Sequence, residues 1–119
     1  MDNKIKNSIG IDDNKIYLEL EVIIYKENDN DKYFISFCPA LNLSSFGITE
    51  EDAEESFNEA LDIFMDDIIS KNNLEKVLIS LGWIIKENSF IPPRIDLPKI
   101  VNEYKPVKAE RLTYPVCYA

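Results

Sequence analysis

Apolar and polar residues alternate at the start of the chain. From Ile16 to Tyr25, Ile16, Leu18, Leu20, Val22 and Ile24 fall on one side, and Tyr17, Glu19, Glu21, Ile23 and Tyr25 on the other. That period predicts a strand with one core face and one partly wet face, as in an antiparallel sheet covered on one side. The Asn- and Asp-rich run 26–31 predicts a turn. A second strand over Lys32–Phe37 completes a hairpin, and Pro39 stops it. A third short strand covers Leu43–Ile48, with Gly47 at its end, where close packing or an unusual backbone angle is needed.

The period then becomes helical. Apolar residues recur at 53, 57, 60, 61, 64, 65, 68 and 69, the spacing of a helix with one face on a core. Thr49 is the expected N-cap, and Asp52 stands where a capping box places Glu or Gln. After Lys71, Asn72 and Asn73, the apolar residues Leu74, Val77, Leu78 and Leu81 predict a shorter helix capped by Asn73. Gly82 is expected at its left-handed end, with Trp83 folding back on Leu78 and buried. Trp83–Ile85 and Ser89–Ile91 predict a small hairpin. Beyond Pro92 the chain is apolar but punctuated by prolines. Too apolar for a solvated tail and too proline-rich for a helical domain, it reads as an arm carrying at least one strand, Glu110–Cys117.

Length and composition narrow the function. A chain of 119 residues is the size of one domain and buries roughly 65% of its unfolded surface. With 22 acids against 13 bases the net charge is −9, which argues against wrapping nucleic acid or anionic lipid and allows a basic protein partner. There is no histidine, so His-dependent triads and His metal ligands are excluded. Cys38 and Cys117 form no CxxC motif and are expected as free thiols in a reducing compartment, with a bridge left open. The sequence 1–14 is polar, without the apolar core of a secretory signal, and no stretch reaches membrane-spanning length. A cytoplasmic protein is expected.

Chemistry-bearing residues are few. Glu19 and Glu21 on one strand face, with Asp29 and Asp31 in the adjoining turn, are the set that could hold magnesium for nuclease chemistry; a wet sheet face and a polar turn is much the plainer reading. Tyr17, Tyr25 and Tyr33 are expected to pair across the hairpin. The unusual element is the long helix. It carries Glu50, Glu51, Asp52, Glu54, Glu55, Glu59, Asp62, Asp66 and Asp67 without a Lys or Arg among them. Like charges at i,i+4, such as Glu51–Glu55 and Asp62–Asp66, each cost a few tenths of a kcal/mol in an isolated helix. A basic partner would relieve that repulsion; a solvated face in an acidic protein is the plainer alternative.

The order strand, polar turn, strand, Pro, strand, Gly-x-Thr, acidic helix resembles the HicB-like antitoxin domain. The resemblance is carried by DKYFISFCPALNLSSFGITEEDAEESFNEAL, residues 31–61, with Tyr33, Pro39, Leu41, Gly47, Thr49, Glu51, Ala53 and Ala60 at the family's motif positions. It covers residues 16–70. It implies a degenerate ribonuclease H-like fold, β-β-β-α-β, without nuclease activity, and a partner of HicA type, a small basic toxin that cleaves mRNA. Two departures stand out. Ile48 replaces the family's usual Asp between Gly47 and Thr49, and the residues after Pro92 are too few and too proline-rich for the helix-turn-helix or ribbon-helix-helix that many members carry. Repression of its own operon is therefore not implied.

The expected fold is α+β: a three-stranded antiparallel meander packed by one long helix, followed by a short helix, a small hairpin and a C-terminal arm. Residues 1–91 form the domain, and 92–119 an arm docked on it or on a neighbouring subunit. The expected function is a non-enzymatic HicB-like antitoxin that binds and neutralises a small basic toxin, without cofactor, metal or catalytic residue. Glu50, Glu51, Glu54, Glu55, Glu59, Asp62 and Asp66 are its candidate partner-binding residues. Homo-oligomerisation through a sheet edge or the arm is expected, with no direct nucleic-acid or membrane binding. The alternative is a stand-alone homo-oligomeric module with no toxin partner.

Overall fold

The computed structural model describes residues 15–27, 32–87 and 89–117. The expectations for residues 1–14 and for Asp29 and Asp31 lie outside these. In chain order the elements are β1 (Lys15–Lys26), β2 (Phe34–Cys38), β3 (Leu43–Gly47), α1 (Glu50–Ser70), α2 (Leu74–Ser80), β4 (Ile84–Lys86), β5 (Ser89–Ile91), α3 (Leu97–Tyr104) and β6 (Lys108–Cys117). The fold is α+β, with a meander followed by a long helix as the hydrophobic pattern predicts. The main sheet has four strands in the order β3-β2-β1-β6, all antiparallel, and β4-β5 form a separate hairpin.

The fourth strand comes from the arm. β6 pairs with β1 of the same chain from Lys15↔Cys117 to Ile24↔Lys108, whereas β2 pairs only with the far end of β1, Ile23↔Phe37 to Lys26↔Phe34. Its own alternation explains the docking. Leu112, Tyr114 and Val116 turn to the core face, where Val116 is fully buried and Leu112 and Tyr114 pack at the margin.

One face of the sheet holds the core. Leu18, Leu20 and Val22 are buried there, as the period of two requires, in one cluster with Phe57, Leu61, Met65 and Ile68 of α1, and Ile24 in the same alternation is fully buried too. Leu74, Leu78, Trp83 and Phe90 close the far end. The Trp83 indole N–H donates to the Ala40 carbonyl at 2.9 Å, tying the segment after α2 to the turn between β2 and β3. Burying a polar indole nitrogen without such a partner would cost about 1–3 kcal/mol.

Helix ends follow local chemistry. Thr49 caps α1, its hydroxyl accepting from the Asp52 amide at 3.0 Å. α1 ends in a Schellman turn, with Asn72 at φ 59° in the glycine position and the Asn73 amide donating to the Ile68 carbonyl at 2.7 Å. α2 ends the same way: Gly82 has φ 97° and the Trp83 amide donates to the Leu78 carbonyl at 3.0 Å. Asn73 precedes α2 as expected, but its side chain makes no cap hydrogen bond; its backbone is committed to ending α1.

Two features were not foreseen. Besides its strand the arm contains a short helix, α3, which the reading of its prolines did not include. Asp96 caps it, accepting from the Lys99 amide at 3.1 Å, and Pro98 falls in the first turn, where a missing N–H breaks no intrahelical bond. The tyrosines also do not cluster with one another. Tyr25 meets Tyr104 of α3 with ring centroids 4.8 Å apart, and Tyr104 also approaches Phe37 at 5.9 Å. Tyr33 packs edge-on to Phe46 at 5.6 Å. α3 thus covers one end of the sheet's second face, and Ile23 is buried rather than wet.

Candidate functional site

The glycine before α1 sets where the acidic helix starts. A Cβ on Gly47 would lie 2.4 Å from the Ala53 amide nitrogen and 2.5 Å from the Asp52 Cβ, so β3 runs against the first turn of α1 only because residue 47 has no side chain. Glu50, Glu51 and Asp52 occupy that turn, where the helix dipole favours them. The apolar stripe Ala53, Phe57, Leu61, Met65 and Ile68 then faces the sheet and turns the acids outward.

The seven candidate residues differ in their surroundings. Glu54 and Asp62 lie on the flank beside β6 and are engaged within the chain. Lys108 bridges Glu54, and the Tyr114 hydroxyl donates to an Asp62 carboxylate oxygen at 3.3 Å. The hydrogen bond from Lys108 holds the Glu54 carboxyl below the usual range. Glu110, 3.7 Å from the same ammonium, is raised by burial and by the charge of Glu54. Burial, with Asp62 beside it, also raises the Tyr114 phenol.

Glu51, Glu55, Glu59 and Asp66 are exposed, and no cation pairs with them among the described residues. Glu50 is half-buried in the first turn. At the far end Asp67 pairs with Lys71 at 2.8 Å across one turn. Among these acids, off the apolar stripe, stands Ile63, 72% exposed, with Glu59 one turn before it and Asp66 and Asp67 one turn after. It was legible only as a residue off the core period: positions 59, 63, 66 and 67 share one side of the helix.

The other candidate chemistry is differently placed. Glu19 and Glu21 share the sheet's second face with Arg111, whose guanidinium lies 4.0 Å from Glu19 and 3.3 Å from Glu21. The charge beside these two carboxylates is thus a cation of the chain itself. Among the described residues, no three His, Cys, Asp or Glu side chains converge as a metal-holding cluster. Cys38 is a free thiol, buried on the core face, and burial raises its pKa, which lowers its reactivity. Among the described residues no helix is long and apolar enough to cross a membrane. The chain matches no family model, no curated protein and no solved structure.

Proposed function

We propose that this chain is a non-enzymatic, HicB-like antitoxin whose α1 surface binds a small basic protein of the mRNA-cleaving HicA type. One observation carries the reading: Glu55, Glu59 and Asp66 stand exposed around an exposed Ile63, without intramolecular cations among the described residues. An apolar side chain ringed by one sign of charge suits a protein surface that supplies a pocket for the isoleucine and cations around it. The carboxylates steer the encounter and the isoleucine supplies desolvated contact. The partner is basic because any other sign would add to the repulsion already present along α1. The motif Gly47-Ile48-Thr49 with Glu51 and Ala53, on which the family resemblance rests, opens this same helix.

Co-expression with the product of the neighbouring open reading frame tests the proposal. A stable complex is expected at low salt, weakening as ionic strength rises. Glu55→Lys/Glu59→Lys/Asp66→Lys, a surface change that leaves the core stripe intact, is expected to weaken it by at least about a hundredfold. A neighbour that is not basic, or binding indifferent to the triple reversal, overturns the reading.

A further inference from the structure

The main sheet has two edges, and their chemistry differs. β6 carries Lys108, Glu110, Arg111 and Pro115, charges and a residue without an N–H, which blunt an edge against further pairing. β3 reads Leu-Ser-Ser-Phe-Gly, with neither charge nor proline. Its strand neighbour is β2, and among the described residues no backbone hydrogen bond reaches its outer side. Large apolar side chains are exposed at this edge: Phe46 at 59% and, one position past Gly47, Ile48 at 69%.

We propose that β3 pairs antiparallel with β3 of a second copy of this chain, joining two four-stranded sheets into one of eight strands. Charge selects that occupant. A neutral edge gains nothing from a strongly basic or acidic strand, but it matches itself. Antiparallel pairing about Ser45 sets Leu43 of each copy opposite Gly47 of the other. The acidic first turn of α1, which follows Gly47 closely, then meets the uncharged turn Pro39–Asn42 of the second copy. Parallel pairing would instead set two acidic turns side by side in a chain of net charge −9. The two-fold arrangement is closed, so it ends at two copies and leaves no free β3 edge. It also places both α1 helices on the same side of the joined sheet, so that the dimer presents two acidic faces together.

The native full chain is expected to show twice its 13.8 kDa mass by light scattering at about 100 μM. Ser44→Lys/Phe46→Lys places cations on exposed positions of this edge and is expected to halve the mass with an unchanged circular dichroism spectrum. Thr113→Lys, on the opposite edge, is expected to leave the dimer intact. A native monomer at that concentration, or a dimer unmoved by the β3 double variant, overturns the proposal. If the double variant fails to fold, amide exchange of the native protein decides. Exchange across residues 43–47 is expected to slow by at least about tenfold between about 1 and 100 μM, and concentration-independent exchange overturns the proposal.

Discussion

At the scale of single residues, Gly47 and Gly82 do different work, and the same substitution separates them. Alanine at 47 would drive its methyl into the backbone of α1, 2.4 Å from the Ala53 nitrogen, where no flexible side chain can yield. Gly47→Ala is therefore expected to cost about 3 kcal/mol in a urea melt, the upper range of overpacking. At Gly82 the obstacle is the backbone angle, φ 97°, with the Pro93 side chain 3.3 Å away, and about 1–2 kcal/mol is expected. Ser36 runs the other way. Its hydroxyl is fully buried on the core face of β2 with no hydrogen-bond partner among the described residues. Ser36→Ala removes an unsatisfied polar group and is expected to be neutral or stabilising by up to about 1 kcal/mol in the same melt. Glu110 offers a test by pH. Its carboxyl is raised, so the folded state binds its proton more readily than the unfolded chain does, and the ionised form destabilises the fold above that range. Glu110→Gln is expected to raise Tm at pH 7 relative to the native chain. The difference should shrink as pH falls and the native Glu110 becomes protonated. Glu54 titrates in the opposite sense: its stabilisation holds at neutral pH and is lost as pH falls through its lowered pKa. The two carboxyls beside Lys108 thus partly cancel, and the variant isolates one of them.

At the scale of elements, legibility followed burial. The strands of the meander and α1 were readable because each has one buried face, so the periods of two and of a helix are written directly in the residues. Both glycines were readable because each stands where an element ends, Gly47 in close packing before α1 and Gly82 at a left-handed helix end. α3 was missed because prolines were weighed as breakers without regard to position; Asp96 as cap, Pro98 in the first turn and apolar residues at 97, 100, 101 and 104 were the available signal. The tyrosine pairing was missed for the same reason, since Tyr104 comes from that helix. Of the candidate site, the acids were visible in the sequence, but not which of them Lys108 and Tyr114 engage, because those contacts join residues more than fifty positions apart. The acidic face also makes its own prediction. Like charges one turn apart oppose α1, so Glu55→Gln/Glu59→Gln is expected to stabilise the fold by a few tenths of a kcal/mol. The same variant is expected to weaken the proposed complex. Opposite movement of stability and affinity is what a surface kept for binding gives; a purely solvated face would move stability alone.

At the scale of the whole molecule, the question is whether the residues after 91 are an appendage or part of the fold. The register answers in terms of what would be lost. β6 is paired with β1 along ten residues, and over Lys15–Val22 it is the strand that flanks β1 in the sheet, because β2 joins only at Ile23. Val116 is buried with Leu18 and Leu20, and Lys108 and Tyr114 reach across to α1. Removing β6 would open a hydrophobic edge along the longest strand and uncover part of the core beneath α1. A chain truncated after Lys105 is therefore expected to lose cooperative thermal unfolding and to bind a hydrophobic dye, where an appended arm would melt unchanged. The same geometry bears on association. With β6 in place, the uncharged edge of the main sheet among the described residues is that of β3, so the proposed pairing has one edge to use and a charged, proline-bearing strand on the other side to prevent a second. The truncated chain would expose β1 as well, an apolar edge at the opposite end of the sheet. Growth could then proceed from both ends, and the expected product is not a dimer or a monomer but a heterogeneous aggregate in light scattering. A truncated chain that stayed folded and discrete in mass would show that β6 is dispensable to the sheet.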